Sequence, residues 1–237
     1  MTMSLYRYCT AGYATLTCTL LKNEWRTTIY PVVPGHEIAG LVTEVGKNVH
    51  KFNVGDRVGV GCMVNTCQSC EGCEAGLENY CSQIVFTYNS RDRDGTVTCG
   101  GYSDVVVVNQ HFVIRFPDGM PLDKGAPLLC AGITVYTPMK YHGLNEPGKR
   151  IGVIGLGGLG HVAVKFAKAF GMRVTVISTS PEKREEAMEK LGADDFVVSS
   201  DAGQMKAAKG TMHGITNTAS ASMSMYPYLA LLKPRAR

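Results

Sequence analysis

Four cysteines crowd into one short stretch, Cys67, Cys70, Cys73 and Cys81, with the spacing C-x2-C-x2-C-x7-C. No other feature limits the fold of this half of the chain so strongly. Zinc takes four soft ligands in a tetrahedron, and short gaps let one loop wrap around one ion. With all four positions filled by thiolate, none is left for water or substrate, so the site reads as structural. An iron–sulfur cluster is the competing reading, since bacterial ferredoxins use short gaps too. Here the third gap is longer and no Pro follows the last Cys. The chain holds nine cysteines, an odd number. No apolar export segment is read at its start, where Met1 to Cys18 looks polar and irregular. Reduced, metal-binding thiols in the cytoplasm fit this better than disulfides.

Composition narrows the class. The 237 residues are 45% hydrophobic and 19% charged, the profile of a globular chain with a sizeable core. A net charge of +4, without a Lys/Arg stripe, gives no support for nucleic-acid binding. No apolar run is long enough for a membrane span.

Two styles of sequence meet near residue 140. Before it, β-type runs (Ile38 to Val45, Arg57 to Cys62, Tyr102 to Val108) alternate with Gly, Pro and Asn turns, as in a small barrel. After it the pattern becomes strand, helix, strand, helix, strand. Arg150 to Ile154, Arg173 to Ile177 and Ala193 to Val198 are the strands. His161 to Phe170 and the charged, Pro-led Pro181 to Leu191 are the helices. The fold class is therefore α/β plus β, with units expected at 1–135 and 136–237.

Gly155-Leu156-Gly157-Gly158-Leu159-Gly160 satisfies G-x-G-x-x-G between a predicted strand and a predicted helix, the context that the dinucleotide motif needs. Gly155 permits the tight turn, Gly157 lets backbone approach a pyrophosphate, and Gly160 lets helix and strand pack closely. Phosphates then meet the free amides of the helix N-terminus. At the end of the next strand NAD enzymes place an acid for the ribose 2′-hydroxyl. This chain has Ser178, Thr179 and Ser180, then Lys183 and Arg184, which suit a 2′-phosphate and favour NADP. Glu182 is the contrary charge. Ser180, before Pro181, also suits a helix cap.

Pro34-Gly35-His36-Glu37, the cysteine cluster, and Ala126-Pro127-Leu128-Leu129-Cys130-Ala131-Gly132 precede this loop in order. The set resembles the zinc-containing medium-chain dehydrogenase/reductase superfamily. Within it, the chain is similar to the plant cinnamyl-alcohol dehydrogenase family. Gly100 to Asp104, Cys130 to Tyr136 and Val176 to Pro181 resemble its mannitol-dehydrogenase-like branch. The likeness is read from about Lys22 to Ser222. It implies a GroES-like β-barrel catalytic domain followed by an incomplete Rossmann domain, and a homodimer. It implies a second, catalytic zinc on His36 and Cys130, with Glu37 as the adjacent acid that swings onto the metal. The cofactor-binding set gains Thr134. The implied activity is zinc- and NADP-dependent interconversion of a primary alcohol and its aldehyde.

Two stretches depart from the pattern. The expected third ligand, a Cys, falls on Ala14; the adjoining His, relay hydroxyl and Asp fall on Thr15, Leu16 and Thr17. Back-translating Cys9 to Thr19 one base early permits Tyr-Cys-Gly-Val-Cys-His-Thr-Asp-Leu-His, the family motif, so a shifted reading frame accounts for the segment. From Met223 onward the text is read as leaving the family, and the start as lacking the family's first barrel strands. The alternative function is a catalytically inactive zinc-binding remnant.

Overall fold

The computed structural model describes residues 2–7, 15–234 and 236, and only the backbone of 2–7, 15 and 16. It divides into two compact units, Met1–Cys130 and Ala131–Arg237.

The first unit is built on a five-stranded antiparallel sheet. Its strands are β1 (Thr2–Arg7), β2 (Ile38–Val45), β3 (Arg57–Val60), β6 (Val105–Asn109) and β7 (Val113–Arg115), in the order β6-β1-β2-β3-β7. A small hairpin pairs β4 (Met63–Asn65) with β5 (Val85–Phe86). Val42, Val58, Val60, Val108 and Val113 are buried in the sheet's core with Phe52. Alternation places every second side chain of β6 inward, giving exposed Val105 and Val107 beside buried Val106 and Val108. The helices are short: α1 (Thr15–Leu21), α2 (Glu71–Glu74) and α3 (Leu122–Gly125). Residues Thr2–Arg7 thus form a strand that the polar, irregular text does not suggest. β1 pairs with β2 on one side and β6 on the other, so two ladders fix a strand that its composition does not announce. Nearby, the Phe116 ring fills the space where side chains at residues 59 and 125 would lie. A Cβ would come within 2.4 Å of it at Gly59 and 2.1 Å at Gly125.

In the second unit a parallel sheet runs β10-β9-β8-β11, from β8 (Arg150–Ile154), β9 (Arg173–Ser178), β10 (Asp195–Val198) and β11 (Gly214–Asn217). In order of appearance this is 3-2-1-4, the opening of the doubly wound arrangement. Parallel strands covered on both faces are apolar throughout, and Ile151 to Ile154 are all buried. The helices are α4 (Ala131–Tyr141), α5 (Gly158–Ala169), α6 (Ala202–Ala207) and α7 (Tyr226–Leu229). α5 buries Gly160, Ala163, Val164 and Ala167, the i, i+3, i+4, i+7 stripe of a helix that lies on a sheet.

The expected helix from Pro181 to Leu191 is not regular. It opens as a tight single turn over Pro181–Lys183 and widens to i+5 hydrogen bonding over Glu186–Lys190, where Leu191 N–H donates to Glu186 O. Such widened turns commonly occur at functional sites. Ser180 does not cap it through its side chain; the Ser178 hydroxyl instead accepts the Ser180 N–H at 3.1 Å. The stretch after Ser222 is also integral to the unit. Tyr228 and Leu231 are buried with Ile154, Ile177 and Met212, and Met212 bridges in parallel to Leu232.

Candidate metal and dinucleotide sites

The cysteine loop closes on itself. The four sulfurs of Cys67, Cys70, Cys73 and Cys81 lie within 4.8 Å of one another. Cys70 and Cys73 are 3.6 Å apart and Cys67 and Cys73 3.8 Å, far from bonded sulfurs, and all four are free thiols. Local backbone makes the cradle. Gln68 takes a positive φ of 56°, which turns the Ser69 and Cys70 amides onto the Cys67 sulfur at 3.5 and 3.2 Å. The Gln83 amide reaches Cys81 at 3.3 Å, and the Cys73 thiol meets the Thr66 hydroxyl at 3.3 Å. The Ser69 amide pulls the Cys67 thiol down to about 6, so this sulfur is ready as thiolate. Cys73 is lowered as well, first by the Thr66 hydroxyl. The Cys73 backbone amide pulls Cys70 down too, but its contacts with Cys67 and Cys73 push it further the other way, to about 11. A divalent cation would take the place of the protons these sulfurs share.

The second cluster is assembled across the unit. His36 and Glu37 stand just before β2, and Cys130 follows a tight turn over Ala126–Leu129. The His36 Nε2 lies 3.1 Å from the Cys130 sulfur, and one ligand atom each of His36, Glu37 and Cys130 falls within a 4.8 Å group. His36 and Glu37 are 3% and 5% exposed. Two glycine motifs explain their placement. Gly35 has φ 109°, and its carbonyl accepts the Gly101 N–H at 2.9 Å while Pro34 O accepts from Tyr102 N at 3.0 Å. A Cβ on Gly100 would lie 2.4 Å from that Gly35 oxygen. The two chain segments therefore meet backbone to backbone, and His36 emerges at a fixed angle. Tyr88 stacks on its ring at 5.8 Å.

Burial depresses the basicity of His36, keeping the imidazole neutral and able to ligate. Burial raises the Cys130 thiol to about 11, with Glu37 and Cys62 adding charge repulsion. His36 Nδ1 is buried with no hydrogen-bond partner among the described residues. Sequence reading had not singled out Tyr88; only the fold brings it beside His36. Ala14 lies outside the described residues. Nitrogen, carboxylate and thiol converging in a buried spot fit a zinc ion as three of its ligands.

In the second unit, Gly155 has φ 84°, and a Cβ there would press on the Ala219 backbone at 3.2 Å. At Gly160 a Cβ would sit 2.2 Å from the Gly155 oxygen. At Gly157 and Gly158 it would meet nothing within 4 Å, which leaves their backbone open to a ligand above the first turn of α5. Leu156 is buried and Leu159 packs against the core below. Ser178 is buried at the end of β9, Thr179 is exposed, and Ser180 is half-buried. Lys183 reaches back, its Nζ donating to Leu156 O at 3.2 Å. Thr134 is exposed on α4 and lines a cavity of about 360 Å³ with Leu159, His142 and Thr216 to Thr218. The strand order reverses between β8 and β11, and the cavity opens by that switch point, where ligands of such sheets bind.

The profile described as "Alcohol dehydrogenase GroES-like domain" matches residues 7–118, and "Zinc-binding dehydrogenase" matches 158–237. Among curated relatives, a probable cinnamyl alcohol dehydrogenase 3 of Oryza sativa subsp. japonica is 68% identical over 230 residues, 97% of this chain and 62% of the relative. A mannitol dehydrogenase of Petroselinum crispum is 62% identical over 90% of this chain and 64% of its own. The chain thus spans about 60% of the length of such relatives. Among solved structures, a cinnamyl alcohol dehydrogenase from Sorghum bicolor superposes with TM-score 0.96 at 56% identity, over 99% of this chain and 67% of that one. A Helicobacter pylori counterpart, complexed with NADP(H), gives TM-score 0.89 at 39% identity over 98% of this chain and 65% of that one. The family likeness therefore does not stop at Ser222; the second profile continues through residue 237. No helix among the described residues is long and apolar enough to cross a membrane.

Proposed function

Because this chain belongs to the zinc-binding alcohol dehydrogenase family, we propose that it serves an NADP(H)-dependent interconversion of a primary alcohol and its aldehyde. The substrate class is cinnamyl, terpenoid or sugar alcohols. One observation carries the reading: Cys130, far along the chain, meets the buried pair His36 and Glu37 with ligand atoms within 4.8 Å. A zinc ion there supplies Lewis-acid polarisation of the substrate oxygen. The chain's own part is to present a neutral imidazole and a thiolate to the ion, with Glu37 as the adjustable third group. Cys67, Cys70, Cys73 and Cys81 hold a separate, structural zinc. For the cofactor, the backbone of Gly155 to Gly160 faces the pyrophosphate. Ser178, Thr179, Ser180 and Lys183 face a 2′-phosphate, and Thr134 stands at the mouth of the cavity by the switch point. We assign the first compact unit, Met1–Cys130, to catalysis and the second, Ala131–Arg237, to the nucleotide, a boundary five residues before the one expected at 135. Free thiols in such number suit the cytoplasm.

The measurement that tests this is zinc per chain on purified protein, in wild type and in His36→Ala. Two ions falling to one supports the reading. One ion in both favours the inactive remnant, a reading whose support is Ala14 where the resemblance expects a thiolate and the unpartnered His36 Nδ1. Metal-binding histidines almost always donate that second nitrogen to a fixed acceptor.

A further inference from the structure

His161 lies in the first turn of α5, half-buried, and belongs to neither metal cluster. Its Nδ1 is 2.8 Å from the Gly157 carbonyl oxygen, inside the glycine loop. Its Nε2 is 3.2 Å from Glu186 Oε1, inside the widened turn after β9. Both partners are acceptors. The first contact is a hydrogen bond that a neutral ring can donate, and the second is an ion pair that exists only while the ring is charged. The ring completes both contacts as the imidazolium alone. A second tie joins the same two segments, from Lys183 Nζ to Leu156 O. The geometry points to His161 as a positioning residue: protonated, it clamps the glycine loop to the segment that reads the 2′-phosphate, so that binding of NADP(H) is linked to one proton.

This rests on the NADP reading of the loop given above. The charged groups around the clamp are Glu186 and, acting on it, Lys183 and Lys190. The Glu186 carboxyl is held below the ordinary range, by His161 first and by both lysines after it. While the ring is charged, His161 and Glu186 together are neutral. Once it loses its proton, one contact opens and Glu186 loses its main counter-charge, three residues along from Lys183 on the segment that faces the 2′-phosphate. A 2′-phosphate carries close to two negative charges and is repelled; the 2′-hydroxyl of NAD(H) is not. The clamp therefore favours the phosphorylated cofactor in proportion to its own protonation.

The test is nucleotide affinity measured by calorimetry on the full chain, wild type, His161→Gln and Glu186→Gln, with NADPH and NADH as probes at about pH 6 and pH 8.5, either side of the usual imidazole range. Between those pH values, wild type should lose about tenfold in NADPH affinity relative to His161→Gln, the size of one proton-linked charge interaction. NADH affinity should change alike in both. At the higher pH, Glu186→Gln should bind NADPH several-fold tighter than wild type, because the carboxylate is gone. Parallel NADPH profiles in wild type and His161→Gln would overturn the clamp. If neither nucleotide binds at any pH, the reading of the loop fails, and the ring nitrogen chemical shifts of His161 decide the clamp alone. Two protonated nitrogens in wild type, against one in Glu186→Gln at the same pH, support it; identical titrations overturn it.

Discussion

The cysteine loop and the His36 cluster both gather metal-ligand atoms within 4.8 Å, yet they are built in opposite ways. The first is local. One turn with a left-handed residue at Gln68 wraps its own amides around its own sulfurs. The second is non-local: His36 and Cys130 stand 94 residues apart. It depends on the sheet, on the backbone contact of Gly35 with Gly101, and on the turn before Cys130. The loop comes with internal donors for its thiolates, whereas the His36 cluster is buried with Nδ1 unpartnered. A local site is robust to damage elsewhere; a non-local one inherits every fault of the fold around it.

The largest effect should come from the loop. Cys73→Ser removes a ligand from a closed site, and the loss of its ion should lower stability by about 5 kcal/mol or more. Calorimetric melting with and without added zinc checks this. If the melting temperature is unmoved, the loop is not a structural metal site. At the non-local cluster, Cys130→Ser removes a direct ligand and should lower metal affinity by about 100-fold or more, at or beyond the upper end of what losing an outer-shell partner costs, as metal titration reads it, while the melting temperature changes little. Unfolding of this variant together with metal loss would erase the distinction between the two sites.

The second unit supplies a sharper pair. Gly160→Ala forces a Cβ to 2.2 Å from the Gly155 oxygen and should cost about 1–3 kcal/mol in denaturant unfolding. Gly157→Ala meets nothing within 4 Å and should leave stability unchanged while weakening nucleotide affinity. Equal effects on stability would show that the loop is packed rather than open.

The smallest effect concerns pH. Burial pushes the Asp194 carboxyl up, but Lys168 and the Val174 N–H outweigh it and hold the group below the ordinary carboxylate range. A depressed folded-state pKa contributes stability above the unfolded value, and this is lost as pH falls through the folded one. Asp194→Asn should cost about 1 kcal/mol at pH 7, and the difference from wild type should shrink below about pH 4. A constant difference down to pH 2 would mean that packing, not charge, keeps Lys168 and Asp194 together.

What the text revealed followed the same divide. The cysteine spacing and the glycine loop are short-range patterns in which sequence distance equals spatial distance, so both were readable. β2 and β8 were read to their observed ends because each is an apolar run bounded by turn residues. β1 was missed because its partners, β2 and β6, lie far along the chain. The turn from Pro181 was read as a regular helix because charge periodicity does not show a switch from tight to wide hydrogen bonding. Tyr88, stacked on His36, gave no signal, since an aromatic residue within a Thr-Tyr-Asn run carries no mark of what it will face.

Phe116 carries one more consequence, for variation over time. Its ring stands where side chains at Gly59 and Gly125 would otherwise be, and Leu129 closes in on residue 59 as well. Those positions are not independent letters. A smaller residue at 116 removes the nearest obstacle to alanines at 59 and 125, although Leu129 and Met120 must still give way to them, whereas either alanine alone collides with the ring. Descendants of this sequence should therefore change these positions together with Leu129 and Met120 or keep both glycines, leaving a correlated signature across a span in which no single site stands out by itself.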